Sequence, residues 1–291
     1  MSTTLFDAPG PRMRRRILVA NIIGALLVLA LLAWMVSGLI DKGQFTAQKW
    51  EPFLTANVWE NFILPGLWAT LRAAFLAIIG AHLFALVFGL GRLSQLAPVR
   101  WVSGAVVEFF RAVPVLIMMI FLYFWFTRSG VVPASEGPLW AVVVALTLYN
   151  GSVIAELLRS GVGSLPSGQR EAALSIGLRH GQSLRLVELP QAMLAMLPSM
   201  VSQLVVILKD SALGYIITYT ELLRAARLVG SNFGNLLPAL LVAAVIFILI
   251  NWLLTTLAER TAARMRARTA APVRVAAPSG ESQGTGVSPQ R

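Results

Sequence analysis

The sequence predicts an all-α polytopic membrane protein with about six transmembrane helices, and three observations carry that prediction. Of its 291 residues 57% are hydrophobic and 13% charged, with a mean hydropathy of +0.73; a soluble domain carries about twice that charged fraction. Apolar runs of about 20 residues or more recur along the chain, each long enough to cross the hydrocarbon of a bilayer. Basic residues gather at the ends of those runs and in the tails, with the excess on one side, as the positive-inside rule requires. The net charge of +11 therefore reports topology and contact with anionic lipid, not nucleic acid. With no cysteine and two histidines, the chain offers no disulfide framework, no thiol chemistry and no expected metal site.

The elements follow in order. Residues 1–16 end in Arg12, Arg14, Arg15 and Arg16 and read as a cytoplasmic tail; 17–40 then run without a charge. That run exceeds the roughly 7 to 15 apolar residues of a secretory signal, so it reads as a retained, extra N-terminal span. Residues 41–61, with Trp50, Pro52, Phe53 and Trp59, suit the outer interface. A second span covers 66–90 and contains Arg72 and His82; Arg92 and Arg100 flank the short turn after it. A third covers 101–126, interrupted by Glu108, Arg111 and Pro114. The fourth, 139–158, holds Asn150 and Glu156. A fifth starts near Gln191, bends at Pro198 and reaches Leu208; the half-polar stretch 211–234 reads as an outer-side helix or re-entrant segment. The last span, 236–257, precedes Glu259, Arg260 and Arg264, and 261–291 read as a disordered cytoplasmic tail. Both termini lie inside in this scheme, which puts 16 of the 24 Lys and Arg in cytoplasmic segments.

Between the fourth and fifth spans lies the most informative stretch, 159–190. Arg159, Arg170, Arg179 and Arg185 place it in the cytoplasm. Pro166 opens a short helix, Glu171, Ala172, Ala173 and Leu174 carry it, Gly177 ends it in a left-handed cap, and Gly181 lets a second helix start. Two adjacent alanines offer a flat face for another protein's cleft, Glu171 offers a charge, and Gly177 permits close approach. Read blandly, this is a charged loop with a solvated Glu171.

Glu171-Ala172-Ala173, then Gly177, then Val187, Leu189 and Pro190 resemble the coupling loop of ABC importer permeases, with Val187 where that pattern prefers Ile. Glu108-Phe109-Phe110-Arg111-Ala112-Val113-Pro114 is similar to the Glu-x-x-Arg-Gly-Thr-Pro segment of polar amino acid permeases, Ala-Val replacing Gly-Thr as in their glutamate branch. Thr70-Leu71, Leu148 to Ser152, and Ser202-Gln203-Leu204 with Lys209 to Gly214 extend the resemblance over 66–260, most like the actinobacterial glutamate-type permeases. The resemblance implies a five-helix importer permease core (MetI-like) in the cell membrane. It further implies a second permease subunit, identical or related, two ATPase subunits and an extracytoplasmic solute-binding protein. Glu171, Ala172, Ala173, Gly177, Leu189 and Pro190 would then couple to the ATPase. The chain contains no Gly-x-x-x-x-Gly-Lys-Ser/Thr loop, so ATP-Mg belongs to the partner and no cofactor is expected here.

Charges in hydrocarbon cost about 2.5 to 3.5 kcal/mol each, so every one needs a partner, a water path or an interface. Glu108 and Arg111, three apart, can pair on one helix face, as can Glu156 and Arg159. His82 reads as a packing residue. Arg72 admits two readings, snorkelling to the outer interface or facing a central cavity. The family resemblance puts Glu156 beside the translocation path, able to receive an α-ammonium group. Arg72, Asn150 and Glu156 are therefore the substrate-path candidates. If Arg72 and Glu156 share one cavity, an excess of positive charge there favours an acidic side chain. Two other classes compete: an ion-coupled secondary transporter of a small polar solute, disfavoured by the lack of an internal repeat, and a membrane-embedded enzyme, for which no catalytic constellation is found.

Overall fold

The computed structural model describes residues 10–269, and all of the secondary structure it contains is helical. Nine helices matter here: α1 (Pro11–Asp41), α2 (Leu64–Arg92), α3 (Ala97–Ala112), α4 (Val115–Ser129), α5 (Gly137–Gly163), α6 (Ser167–Ser175), α7 (Leu189–Asp210), α8 (Leu222–Phe233) and α9 (Leu236–Thr269). Among the described residues five helical stretches are long and apolar enough to cross a membrane, and α3 with α4 form a sixth, bent candidate.

α5 is the centre. Among the five, its most apolar window is the most enclosed, 61% buried against 33% or less elsewhere. It packs on α2 through a row of small residues, Ala73, Ala77, Ala81 and Ala85, at helical spacing on the buried face of α2. Small side chains let two backbones approach closely, which is how helices bind where lipid is as apolar as leucine. Gly151 shows how close: a Cβ there would lie 2.8 Å from the Phe84 ring. α4 closes the other side of α5 with Met118, Met119 and Phe126.

The third expected span is not one helix. Pro114 has no amide hydrogen to give, and it drives Val113 into extended backbone (ψ 125°), so the chain turns by 98° between α3 and α4. The polar residues Arg100, Glu108 and Arg111 all fall on α3, which makes it amphipathic and unlike a straight span.

The stretch 211–234 forms a 3-10 turn, Ser211–Ile217, followed by α8. Two hydrogen bonds fasten it to α2: Tyr219 Oη donates to the Ala69 carbonyl (2.7 Å), and the Leu222 amide donates to Thr70 Oγ1 (3.0 Å). Glu221 caps α8, accepting from the amides of Leu223 and Arg224 at 2.8 Å each. A second apolar cluster, Val58, Ile63, Leu222, Ala226 and Val229 with Ala239 and Ala243 of α9, holds this end together.

Helix reaches into both expected tail segments within the described residues. Pro11 occupies the first turn of α1, so residues 11–16 are helical. At the other end α9 continues through Thr269, because 261–269 are rich in Ala, Arg and Met, all strong helix formers. The remainder of the two tail expectations, 1–9 and 270–291, lies outside the described residues. No residue of α1 is buried against the rest of the described chain.

Candidate functional site

The stretch 159–190 is a helix, a reversal and a tether. α6 begins after Pro166 and ends in a Schellman motif: the Gly177 amide donates to the Leu174 carbonyl (3.0 Å) and the Leu178 amide to the Ala173 carbonyl (3.2 Å). Gly177 takes φ +87°, the left-handed conformation that its lack of a Cβ allows. A turn of helix, His180–Ser183, and a π-helical turn, Leu184–Glu188, lead into α7. The wider turn falls where Pro190 cannot donate to the carbonyl four residues back. Leu189 and Pro190 open α7 itself, Pro190 exposed and within the first turn.

Glu171 and Ala172 are exposed on α6, and Ile176 projects from its end, 77% exposed. Ala173 is buried. The two alanines therefore do not form one exposed face: successive residues on a helix point about 100° apart, and Ala173 is buried while Ala172 is exposed.

Sequence reasoning missed the residues that hold this loop in place. Glu188 is 2% exposed, and it accepts from Arg170 Nε (2.9 Å), from Arg170 Nη2 (2.6 Å) and from Ser183 Oγ (2.9 Å). The ion pair ties α6 directly to the entry of α7 across 18 residues of chain. A signal was available: Glu188 is one of only two acidic residues in a basic loop, and it is set between apolar neighbours.

The second constellation joins α2, α3 and α5. Glu156 lies 2.6 Å from Arg159, 2.9 Å from Arg92 and 3.9 Å from Arg111; Glu108 lies 3.0 Å from Arg92 and 3.3 Å from Arg111. Both expected pairs, Glu108 with Arg111 and Glu156 with Arg159, are present. Arg92, taken from sequence as a flanking charge, bridges the two carboxylates. Three guanidiniums face two carboxylates, so the cluster carries an excess of positive charge. It borders a cavity of about 430 Å³ lined by Glu108, Arg111, Tyr149 and Glu156.

Arg72 is elsewhere. Its guanidinium lies 3.9 Å from Glu136, and both side chains are half exposed. Arg72 and Arg92 are 20 residues apart on one continuous helix, about 30 Å, and Arg92 touches Glu156. Arg72 and Glu156 therefore occupy opposite ends of α2 and do not share a cavity. Asn150 is fully buried, its amide nitrogen bonded to the Leu146 carbonyl (3.1 Å) and its Oδ1 without a partner; in this conformation it faces the core, not an open path. His82 Nδ1 lies 2.8 Å from the Ile78 carbonyl in its own helix, as a packing residue should.

Residues 81–267 match the family profile of binding-protein-dependent transport system inner membrane components. The chain is 47% identical over 233 residues to the glutamate transport system permease protein GluD of Corynebacterium glutamicum, covering 80% of this chain and 84% of that one. It is 30% identical over 187 residues to the glutamate/aspartate import permease protein GltK of Escherichia coli, covering 62% and 84%. Among solved structures, an amino acid ABC transporter crystallised with histidines superposes with a TM-score of 0.63 at 28% identity, covering 69% of this chain and 93% of that one. The MetNI methionine ABC transporter in an inward-facing conformation superposes at 0.61, covering 72% and 99%; at 22% identity it shows the shared fold.

Proposed function

The chain belongs to the family of binding-protein-dependent transport system inner membrane components, and from that premise we propose that it is the membrane-spanning subunit of an ATP-driven importer of glutamate or a related polar amino acid. The observation that carries the reading is the tethered coupling helix. α6 presents Glu171, Ala172 and Ile176 to solvent on a helix only nine residues long, and Arg170 locks that helix to α7 through buried Glu188. A push on an untethered loop dissipates in the loop. Here it reaches a 22-residue helix through a charge-assisted, two-bond contact.

In this reading the coupling stretch is cytoplasmic, and two copies of the chain, or this chain and a related permease, dock on two ATPase subunits that bind ATP-Mg. Glu171 meets a basic partner, Ala172 and Ile176 fill an apolar cleft, and Ala173, Gly177, Leu189 and Pro190 keep the loop's shape. The amino acid arrives from an extracytoplasmic solute-binding protein at the Arg72 end. The cluster around Glu156 then stands at the coupling-loop end of the path. Its surplus positive charge draws the carboxylates of an acidic amino acid, and Glu156, already held by arginines, orders them and does not serve as a ready ammonium site. Asn150 contributes only if α5 moves away from its neighbours during the cycle.

The test is purification in mild detergent from the native membrane with mass spectrometric identification of stoichiometric partners, for the wild type and for Glu171→Arg. Recovery of an ATPase with the wild type and its loss from a normally inserted variant is the expected result. Recovery of the chain alone, even after crosslinking, would overturn the coupling reading.

A further inference from the structure

A larger cavity, about 790 Å³, opens between the α2–α3 turn, the end of α5 and the coupling stretch. Arg92, Arg100, Arg159, Arg170 and His180 line it, against Glu108 and Glu188. Most of these charges are already matched, Arg92 and Arg159 to Glu156 and Glu108, Arg170 to Glu188. Arg100 is not. Among the described residues no carboxylate lies within 4.0 Å of it, and its Nη1 donates only to the carbonyls of Ser94 (3.1 Å) and Gln95 (3.5 Å). Counting Arg111, which shares Glu108 and Glu156, five guanidiniums stand over three carboxylates. The cavity therefore keeps a net positive charge, and Arg100 keeps free donors suited to phosphate oxygens.

The surroundings say which phosphate. Beside Arg100, Trp101 is 75% exposed, and Leu96 and Val102 are exposed with it. α3 turns 98° away from α4 and is amphipathic; in the proposed topology it runs along the bilayer surface. A basic cavity opening beside an apolar, tryptophan-bearing rim at headgroup depth matches an amphiphile better than a soluble anion. We propose that this cavity binds the phosphate headgroup of an anionic phospholipid, its acyl chains lying along Leu96, Trp101 and Val102. The proposal rests on the functional reading above only for the leaflet concerned, the cytoplasmic one. A lipid seated there would touch Arg170 and His180, and so would couple membrane charge to the position of α6.

The experiment uses the full chain purified with whatever partners accompany it. The preparation is exchanged into mixed micelles of phosphatidylglycerol and phosphatidylcholine with identical acyl chains, and retained lipid is read by native mass spectrometry. Retention of phosphatidylglycerol about tenfold over phosphatidylcholine is expected, given the unmatched charge. That excess should fall in Arg100→Gln, persist in Arg100→Lys, and persist in Arg128→Gln, a control beyond the far end of α4's apolar run. Equal retention of the two lipids, or an unchanged excess in Arg100→Gln, would overturn the proposal. So would full displacement of phosphatidylglycerol by millimolar inorganic phosphate, which would mark a soluble-anion site. Partner recovery, read in the same samples, tests the transporter reading separately.

Discussion

Removing one side of the Arg170–Glu188 tether should cost more than removing the other. The pair makes bonds of 2.9 and 2.6 Å, but its members sit differently: the Glu188 side chain is 3% exposed and the Arg170 side chain 46%. Hydrogen bonds to charged groups contribute about 1.5 to 3 kcal/mol, and screening at the arginine's exposed side brings this pair to about 2 kcal/mol. In Glu188→Gln the half-exposed guanidinium loses its charged partner but keeps a neutral acceptor and water, so the loss is about 1 to 2 kcal/mol. In Arg170→Gln a buried carboxylate keeps only Ser183 as donor, and the loss rises to about 3 kcal/mol. Hydrogen exchange of the Ser167–Ser175 amides reads this directly. A cost of 2 kcal/mol accelerates exchange about 30-fold by local opening. The double variant should fall short of the sum of the singles by about 1 kcal/mol or more. Additive effects, or unchanged exchange in Arg170→Gln, would refute a tether between α6 and α7.

Other outcomes follow from the same geometry. Gly177→Ala places a Cβ at φ +87° and should cost about 1 to 2 kcal/mol, with Gly177→Asn milder; faster exchange at Gly177 and Leu178 checks it. Glu156→Gln unbalances Arg92, Arg111 and Arg159 and should slow uptake on the order of tenfold while insertion stays normal; wild-type uptake would remove Glu156 from the path. Burial pushes the Glu221 carboxyl up to about 7 from its ordinary 4.5. A carboxyl raised in the folded state stabilises fully below its unfolded value, and that contribution is lost as pH climbs from 4.5 through 7. Thermal unfolding in detergent should therefore fall in temperature across that window for the wild type, with a flatter profile in Glu221→Gln.

Much of this was legible in the sequence because the signals are local. Composition, run length and the placement of arginines require a helical membrane protein, and Pro166 and Gly177 mark the limits of α6 by backbone chemistry alone. The bend at Pro114 was visible as an interruption but not as a 98° turn, since a proline's lost amide does not specify the angle. Contacts distant in sequence were out of reach. Nothing in the spacing of Arg170 and Glu188 shows that a reversal brings them within 2.6 Å, and Arg92 joins Glu156 only because a stripe of alanines lets α2 and α5 approach. Ala172 and Ala173 look equivalent in a motif and are separated by helical geometry, one exposed and one buried. Arg72 and Glu156 carry complementary charges, yet the length of α2 holds them at opposite ends.

The central claim, that ATP at a partner subunit drives an acidic amino acid through this chain by way of the coupling helix, is tested most directly by uptake of labelled glutamate. The purified complex is reconstituted in vesicles with its solute-binding protein, and ATP and ion gradients are varied independently. The expected result is uptake that requires ATP, survives collapse of the proton and sodium gradients, and disappears in Glu171→Arg. Uptake that follows an ion gradient without ATP, or that persists in Glu171→Arg, would contradict it.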